Sequence, residues 1–262
     1  MAKIAVKTRA VVLHTIKYGD SSLVVKMLTE ELGIQSYMVK GVFGKKSKMK
    51  AALFQNMTLL DIVAESGNSS LGFIKELSLS HYYSTVFCDV KKTTIAMFVS
   101  ELLSKTLADA DADVSLFNFV YDSMLWLDGS ASDYANFPLV FAIQLTSYLG
   151  FSPNMESYSD GYSFDLLDGN FKIANSDLYQ IDEELSRAFY GICRSLRAYH
   201  AVDSNCQQLE LSNNSRRLLL DAMVTYYKLH AENIGEIKSH EILRCVFAAR
   251  DVVNPIRKDQ FN

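Results

Sequence analysis

The hydrophobic pattern changes its period near residue 80, and this change limits the fold of the 262-residue chain more than any other feature. Up to about Leu79, apolar and β-branched residues form about five short runs, separated by turn signals such as Tyr18-Gly19-Asp20. Beyond that point apolar residues recur every three or four positions, as on one face of a helix. The sequence therefore predicts an α+β fold, with a β module at residues 1–80 and a helical domain at 81–262.

The β module is expected to close into a barrel. Five short strands in an open sheet would leave unpaired edges, and closure of the sheet removes them. The five-stranded oligonucleotide-binding barrel, or OB fold, is a common solution at this size. We also expect a short helix near Ser47 to Leu53.

The helical domain contains six amphipathic stretches and one interruption. The interruption, near residues 155–175, holds two Asp-Gly turn signals between alternating apolar residues and predicts an inserted β-hairpin. Ser212 or Asn213 is a candidate N-cap for the fifth stretch. The predicted helices are Val86 to Leu107, Val114 to Leu127, Phe137 to Leu149, Ile181 to His200, Asn213 to His230 and Ser239 to Arg250.

Charge is distributed unevenly along the chain. The first 60 residues hold ten Lys and Arg against three acidic residues, a net charge of +7, and the remainder holds sixteen against twenty-seven, a net charge of −11. Such a concentration on one small module would attract a polyanion.

Composition indicates a soluble globular protein, with 49% hydrophobic and 21% charged residues. No apolar run approaches the roughly 18 residues of a membrane span, and Lys3, Lys7 and Arg9 interrupt any signal-peptide core. We therefore expect a cytoplasmic protein without membrane contacts.

A lysine-rich segment, KGVFGKKSKMK at residues 40–50, admits three interpretations: a phosphate-binding loop, a basic surface for a nucleic-acid backbone, or a loop without a ligand. The phosphate loop requires glycine five positions before Gly44 and a hydroxyl directly after Lys45. Those positions hold Val39 and Lys46. The first interpretation therefore fails, and the other two stay open.

Other catalytic and metal motifs also fail on spacing. Gly19-Asp20-Ser21 resembles an esterase nucleophile block, yet no histidine has an aspartate three positions before it. A calcium-loop start at Asp109 lacks its glycine and its final glutamate. The four cysteines and five histidines show no metal-ligand spacing. We expect no enzyme activity, no metal and no cofactor.

A nucleic-acid surface needs cations spaced to meet phosphates and aromatic rings on which bases stack. Tyr37, Phe43 and Phe54 are candidates for the rings, with core packing favoured for Phe54. The alternative is that the lysines only solvate a loop and the rings fill the barrel. The candidate cations are Lys40, Lys45, Lys46, Lys48 and Lys50, with Lys7 and Arg9 as lesser contributors.

The chain resembles the bacterial recombination mediator family RecO over nearly its whole length. The resemblance is carried by strings whose order and spacing matter more than any one of them. They are Tyr18 to Val25, Lys40-Gly41-Val42, Lys46-Ser47-Lys48 before Ala51-Ala52-Leu53, Leu145 to Pro153, Ser215 to Leu218, Tyr227 to His230 and Ile237-Lys238-Ser239.

The resemblance implies an N-terminal OB fold, a helical C-terminal domain and a role in homologous-recombination repair. It implies binding of single- and double-stranded DNA, annealing of complementary strands, and work with the ring protein RecR that helps RecA replace single-strand-binding protein. Arg216 and Arg217 match the family's C-terminal string and are candidates for DNA contact, or else for a structural role at helix ends.

Two points stay open at this level. Many members of the family carry four zinc-binding cysteines just after the string that ends at Pro153, and residues 154–175 contain no cysteine. We therefore expect a hairpin without a metal. The chain could also serve chiefly as a protein-interaction adaptor, holding the tail of single-strand-binding protein in a helical groove.

Overall fold

The computed structural model describes residues 5–44, 50–65, 71–107, 110–132, 134–175, 177–198 and 210–248. The chain forms two units, Met1–Val86 with Val99–Gly129, and Phe87–Phe98 with Ser130–Asn262. The first unit thus includes residues 99–129 as well as the predicted β module. Independent domains at 1–80 and 81–262 stay a prediction.

The first unit contains a closed barrel of five strands. The strands are β1 (Ala5–Tyr18), β2 (Ser22–Thr29), β3 (Gly33–Val39), β4 (Leu59–Glu65) and β5 (Leu71–Leu79). Their order around the barrel is β1-β2-β3-β5-β4, and all pairs are antiparallel except β3 with β5. β1 is long because its first half pairs with β4 and its second half with β2. This topology confirms the predicted OB-like barrel.

The barrel core follows from the two-residue period of the strands. Alternate residues such as Val25 and Met27 of β2 point inward and are fully buried. The predicted short helix is a 3₁₀ turn at Ala51–Phe54, which places Phe54 in this core. Thr15 Oγ1 on β1 donates to Phe54 O at 2.8 Å and fixes the turn.

Helical residues of the first unit pack against the outside of the barrel. They belong to α1 (Val90–Thr106), from Val99 onward, and to α2 (Val114–Gly129). Ile34 N–H donates to Ala110 O at 2.9 Å. Gly33 has φ +65°, and a Cβ there would lie 2.4 Å from Ala110 O, so the close approach requires glycine.

Asp128 fixes the segment that follows the barrel. Its buried carboxylate accepts from the backbone N–H groups of Ser84, Thr85 and Val86. Burial opposes the charge, but these hydrogen bonds and one from His81 hold the pKa of Asp128 well below its usual 3.8.

In the described part of the second unit, four further helices pack with a β-hairpin. The elements are α3 (Phe137–Leu149), β6 (Tyr162–Asp165), β7 (Asn170–Ile173), α4 (Glu183–Ala198), α5 (Asn213–His230) and α6 (Lys238–Ala248). Tyr227 Oη donates to Ala142 O at 2.8 Å and joins α5 to the buried helix α3. Ser212 Oγ accepts from Ser215 N–H, as expected for the N-cap of α5. The hairpin and the helices are confirmed, while the predicted extensions to His200 and Arg250 lie outside the described residues.

None of the helices in the described ranges combines the length and apolar character that a membrane span requires.

Candidate nucleic-acid interface

One end of the barrel brings together the β1–β2 turn, the residues after β3 and the start of β5. Val42 N–H donates to Ser21 O at 2.9 Å and holds the chain after β3 against the turn. Phe73 of β5 lies opposite Met38 of β3. Lys17 precedes the turn and Lys40 follows β3, and both side chains are exposed. We name residues 17–22, residues 40–44 and Phe73 the lysine end.

Two lysine–aromatic pairs lie at the lysine end. Lys17 Nζ is 5.6 Å from the centroid of the Phe43 ring, and Lys40 Nζ is 6.0 Å from that of Phe73. Phe43 is 51% exposed and Phe73 is 37% exposed. A cation within about 6 Å of a ring face is attracted to it. Each pair therefore presents a positive charge and an exposed apolar ring side by side.

The structure describes two of the five lysines predicted between residues 40 and 50. Lys40 lies at the lysine end, and Lys50 is exposed just before the 3₁₀ turn. Lys45, Lys46 and Lys48 fall in residues 45–49, outside the described residues. DNA contact by all five stays a prediction.

The three aromatic candidates divide between core and surface. Tyr37 and Phe54 are each 2% exposed and belong to the barrel core, whereas Phe43 is exposed. Burial also raises the pKa of Tyr37 to about 12. The prediction that bases stack on Tyr37 is therefore wrong, because the Tyr37 side chain points into the barrel core. The expected core packing of Phe54 is confirmed.

Sequence reasoning missed Lys17 and Phe73. Phe73 reaches Lys40 through the parallel β3–β5 pairing, which joins residues far apart in the chain. Local period-2 patterning places Phe73 and Lys75 on one outward face of β5, and that signal was available in the sequence.

Arg9 and Lys7 differ in what surrounds them. The Arg9 guanidinium donates to both carboxylate oxygens of Glu30, at 2.8 and 2.6 Å, and to Asn118 Oδ1 at 2.9 Å. It also lies 5.1 and 4.8 Å from the Phe117 and Tyr121 ring centroids. Arg9 thus joins the barrel to α2 within its unit. Lys7 is exposed on β1.

The Arg9–Glu30 hydrogen bonds also fix the charges of both groups. The bonds from Arg9 hold the pKa of Glu30 below its usual 4.5, and those to Glu30 raise the pKa of Arg9. Because Nε and Nη2 of Arg9 donate within the protein, the geometry gives Arg9 a structural role. DNA contact by Lys7 and Arg9 stays untested.

Many OB folds bind ligands on the outer face of strands 2 and 3. In this chain Lys26, on that face of β2, donates to Ser104 O of α1 at 3.2 Å. Ser100 Oγ donates to Leu13 O of β1. These contacts place α1 residues against β1 and against part of the β2 face, whereas the described residues of the lysine end include exposed lysines and rings.

The second unit contains a pocket of about 290 Å³ where the first turns of α3 and α5 meet α6. Its apolar wall includes Pro138, Leu139, Leu220, Leu243 and Phe247. Arginine side chains at positions 216, 217 and 244 also line it. The pocket therefore combines an apolar floor with positive charge.

Arg216 and Arg217 have different partners. Arg216 is half-buried and donates to Asn136 Oδ1, Asn213 Oδ1 and Leu211 O at 2.7, 2.8 and 3.1 Å. Burial lowers its pKa. Arg217 is exposed and donates to Asn214 Oδ1 at 2.8 Å. The geometry gives Arg216 a structural role and leaves Arg217 open to solvent, and DNA contact by either stays a prediction.

The β6–β7 hairpin is held by aromatic packing. Phe164 of β6 lies 5.0 Å from Phe171 of β7 and 4.8 Å from Phe189 of α4, and the Tyr158 and Tyr190 rings stack at 3.7 Å, all between ring centroids. This packing of aromatic rings stabilises the hairpin.

The polar groups of the hairpin do not form a zinc site either. Asp165 Oδ1 accepts from the N–H groups of Leu167 and Asp168, and Oδ2 lies 3.4 Å from Lys172 Nζ. In the described ranges no group of three or more His, Cys, Asp and Glu could hold a metal. These residues do not fit the thiolate and imidazole coordination of structural zinc.

The closed barrel with its lysine end, followed by a helical unit with an inserted hairpin, defines a two-part OB-fold protein. Comparison with family models matches residues 1–83 to "Recombination protein O N terminal" and residues 88–240 to "Recombination protein O C terminal". The chain belongs to the RecO family.

Curated relatives agree over almost the full length. The DNA repair protein RecO of Christiangramia forsetii is 33% identical over 92% of this chain and 99% of its own length. Those of Flavobacterium psychrophilum and Bacteroides fragilis are each 31% identical, over 93% and 92% of this chain and 99% and 98% of their own lengths. The strings that carry the resemblance thus belong to a similarity that covers at least 92% of this chain.

Proposed function

We propose that this protein is a DNA-binding mediator of recombinational DNA repair. It anneals complementary single strands and assists the loading of RecA together with RecR, without catalysing a reaction itself. Membership of the RecO family and the names of the relatives support the repair role. A cytoplasmic location stays a prediction.

The lysine end is the observation that carries the DNA-binding proposal. Lys17 and Lys40 are exposed there, each beside an aromatic ring. In the sequence, Lys45, Lys46 and Lys48 follow Gly44. The charge of the two described lysines, Lys17 and Lys40, thus lies at one end of the barrel.

Annealing follows from this charge. Lysines that neutralise phosphates release condensed counterions and screen the repulsion between two strands. Because phosphate contacts carry no sequence information, binding is strong at low salt and nearly indifferent to sequence. The expected slope of log affinity against log salt is about −0.7 per phosphate contact for a single strand.

The test replaces Lys45, Lys46, Lys48 and Lys50 with Glu and measures binding to DNA, RecR and single-strand-binding protein. Loss of DNA binding with retained partner binding supports the proposal, and undiminished DNA binding contradicts it. A matched control reverses four charges of the second unit, Arg187, Arg194, Lys228 and Lys238, all exposed. The control changes net charge equally and is expected to weaken binding far less.

A second candidate function is favoured by the arginine-lined pocket. The protein would then act as an adaptor that holds the tail of single-strand-binding protein, the partner implied by the family resemblance. An acidic peptide with an apolar end fits a pocket that is lined by apolar side chains and by Arg217 and Arg244. Barrel contacts to DNA would be secondary in this case.

One experiment distinguishes the two candidate functions. Arg217→Glu combined with Arg244→Glu is measured for binding to a synthetic tail peptide and to single-stranded DNA. Loss of peptide binding alone assigns the pocket to the tail and leaves DNA binding to the barrel. Retained peptide binding removes the support for the adaptor.

A further inference from the structure

We propose that the two lysine–aromatic pairs of the lysine end, Lys17 with Phe43 and Lys40 with Phe73, read unpaired bases, so that the barrel prefers single-stranded nucleic acid to duplex. This inference rests on the proposed DNA-binding function and adds to it the chemical class of the ligand. Charge alone would leave single and double strands poorly distinguished, because both carry phosphates.

The two rings of the lysine end are exposed to solvent. Phe43 and Phe73 are 51% and 37% exposed at one barrel end, whereas the aromatic residues Tyr37 and Phe54 are buried in the same barrel. A buried phenylalanine would stabilise the core, but an exposed ring presents a face to solvent. Bases stack on such faces without regard to their identity.

The two lysines lie close to the rings. Each ammonium lies within 6.0 Å of its ring centroid, close enough for one nucleotide to place its base on the ring and its phosphate at the lysine. In the free protein the lysine interacts with the ring itself. When a nucleotide binds, its phosphate pairs with the ammonium and its base stacks on the face of the ring.

The source of specificity follows from duplex geometry. In a duplex both faces of each base are covered by stacking neighbours, so Phe43 and Phe73 gain nothing from it. In a single strand the faces are available, as in other single-strand-binding OB folds. Asp20 in the β1–β2 turn is exposed and does not pair with either lysine in the described contacts. Glu65 of β4 lies opposite Phe73 and is paired with Lys75.

The experiment compares three probes of equal length on the full-length protein: a thymidine 20-mer, the same backbone with abasic sites throughout, and a 20-base-pair duplex. Wild-type protein is expected to bind the thymidine strand at least tenfold more tightly than the abasic strand. Phe43→Leu combined with Phe73→Leu is expected to remove this difference and to leave duplex binding within about twofold.

Several outcomes overturn the inference. Equal wild-type affinity for thymidine and abasic strands does so without any variant, and so does a double variant that weakens all three probes alike. Phe43→Trp should retain the preference, whereas Tyr82→Leu, at another exposed aromatic residue of the same unit, should leave every affinity unchanged. If the wild type binds none of the probes, the proposed function itself fails, which is a separate result.

Discussion

Positively charged side chains have different partners at the two ends of the barrel. At the end formed by the β2–β3 turn, Arg9 is bound by Glu30 and Asn118 and packed on two aromatic rings. At the lysine end, Lys17 and Lys40 meet only the faces of exposed rings in the described cation–ring contacts. A count of cations along the sequence gives both ends the same weight.

The difference shows that a cation serves structure or binding according to its partners. A guanidinium that donates to a carboxylate and an amide and packs on aromatic rings loses much of its ability to bind a phosphate, and its removal leaves the carboxylate unpaired. An ammonium near a ring is held weakly, by about 0.5 to 1 kcal/mol at exposed sites. The β2–β3 end should therefore respond to mutation in stability and the lysine end in affinity.

The largest contrast is expected from glycine substitutions at the two ends. Gly33→Ala should lower the free energy of unfolding by about 2 to 5 kcal/mol, because it combines a positive φ with a clash against Ala110 O. Gly19→Ala, in the turn of the lysine end, has φ +61° but nothing within 4 Å and should cost about 1 to 2 kcal/mol. Urea unfolding measures both, and equal losses would show that the β2–β3 end is not tightly packed.

Arg9→Ala should be the next largest effect. We expect a loss of about 1 to 2 kcal/mol, since Glu30 loses two hydrogen bonds but both side chains remain partly exposed. Affinity for DNA at fixed salt should stay within about twofold of wild type. A marked loss of affinity in a variant of unchanged stability would return Arg9 to the DNA surface.

The fold was largely predictable from the sequence because its determinants are local. Runs of apolar and β-branched residues between turn signals predicted the strands, 3.6-residue periodicity predicted the helices, and Asp160-Gly161 with Asp168-Gly169 predicted the hairpin. The barrel closure was inferred from the need to pair strand edges, which is a general rule and needs no contact information.

The site was predicted less well because its contacts are nonlocal. Glu30 reaches Arg9 from 21 residues away, and Phe73 reaches Lys40 through the β3–β5 pairing. Closeness in sequence to the lysines made Tyr37 a candidate for stacking, although the strand alternation points it into the core. Sequence spacing identifies which residues carry charge, whereas the register of the strands decides which of them meet a ring or a carboxylate.

The Arg9–Glu30 pair should also make the two ends differ in their response to pH. The folded-state pKa of Glu30 is lowered, so its contribution to stability is complete above the usual value of 4.5 and is lost as the pH falls through the folded value. The stability difference between wild type and Arg9→Ala should therefore shrink below about pH 4.5. Urea unfolding from pH 7 to pH 3 measures it, and a difference that stays constant would contradict the pairing.

The smallest effect on stability is expected from Lys40→Ala, which should change the free energy of unfolding by less than about 0.5 kcal/mol because the side chain is exposed. Its effect appears instead in binding. If Lys40 meets one phosphate, the slope of log affinity against log salt for a single strand should become less negative by about 0.7.

Lys75→Ala is the matched control, since Lys75 is an exposed lysine of the same barrel whose ammonium is paired with Glu65. An equal change of slope in both variants would mean that the barrel attracts DNA by its overall charge, and the distinction between the two ends would then apply to stability alone.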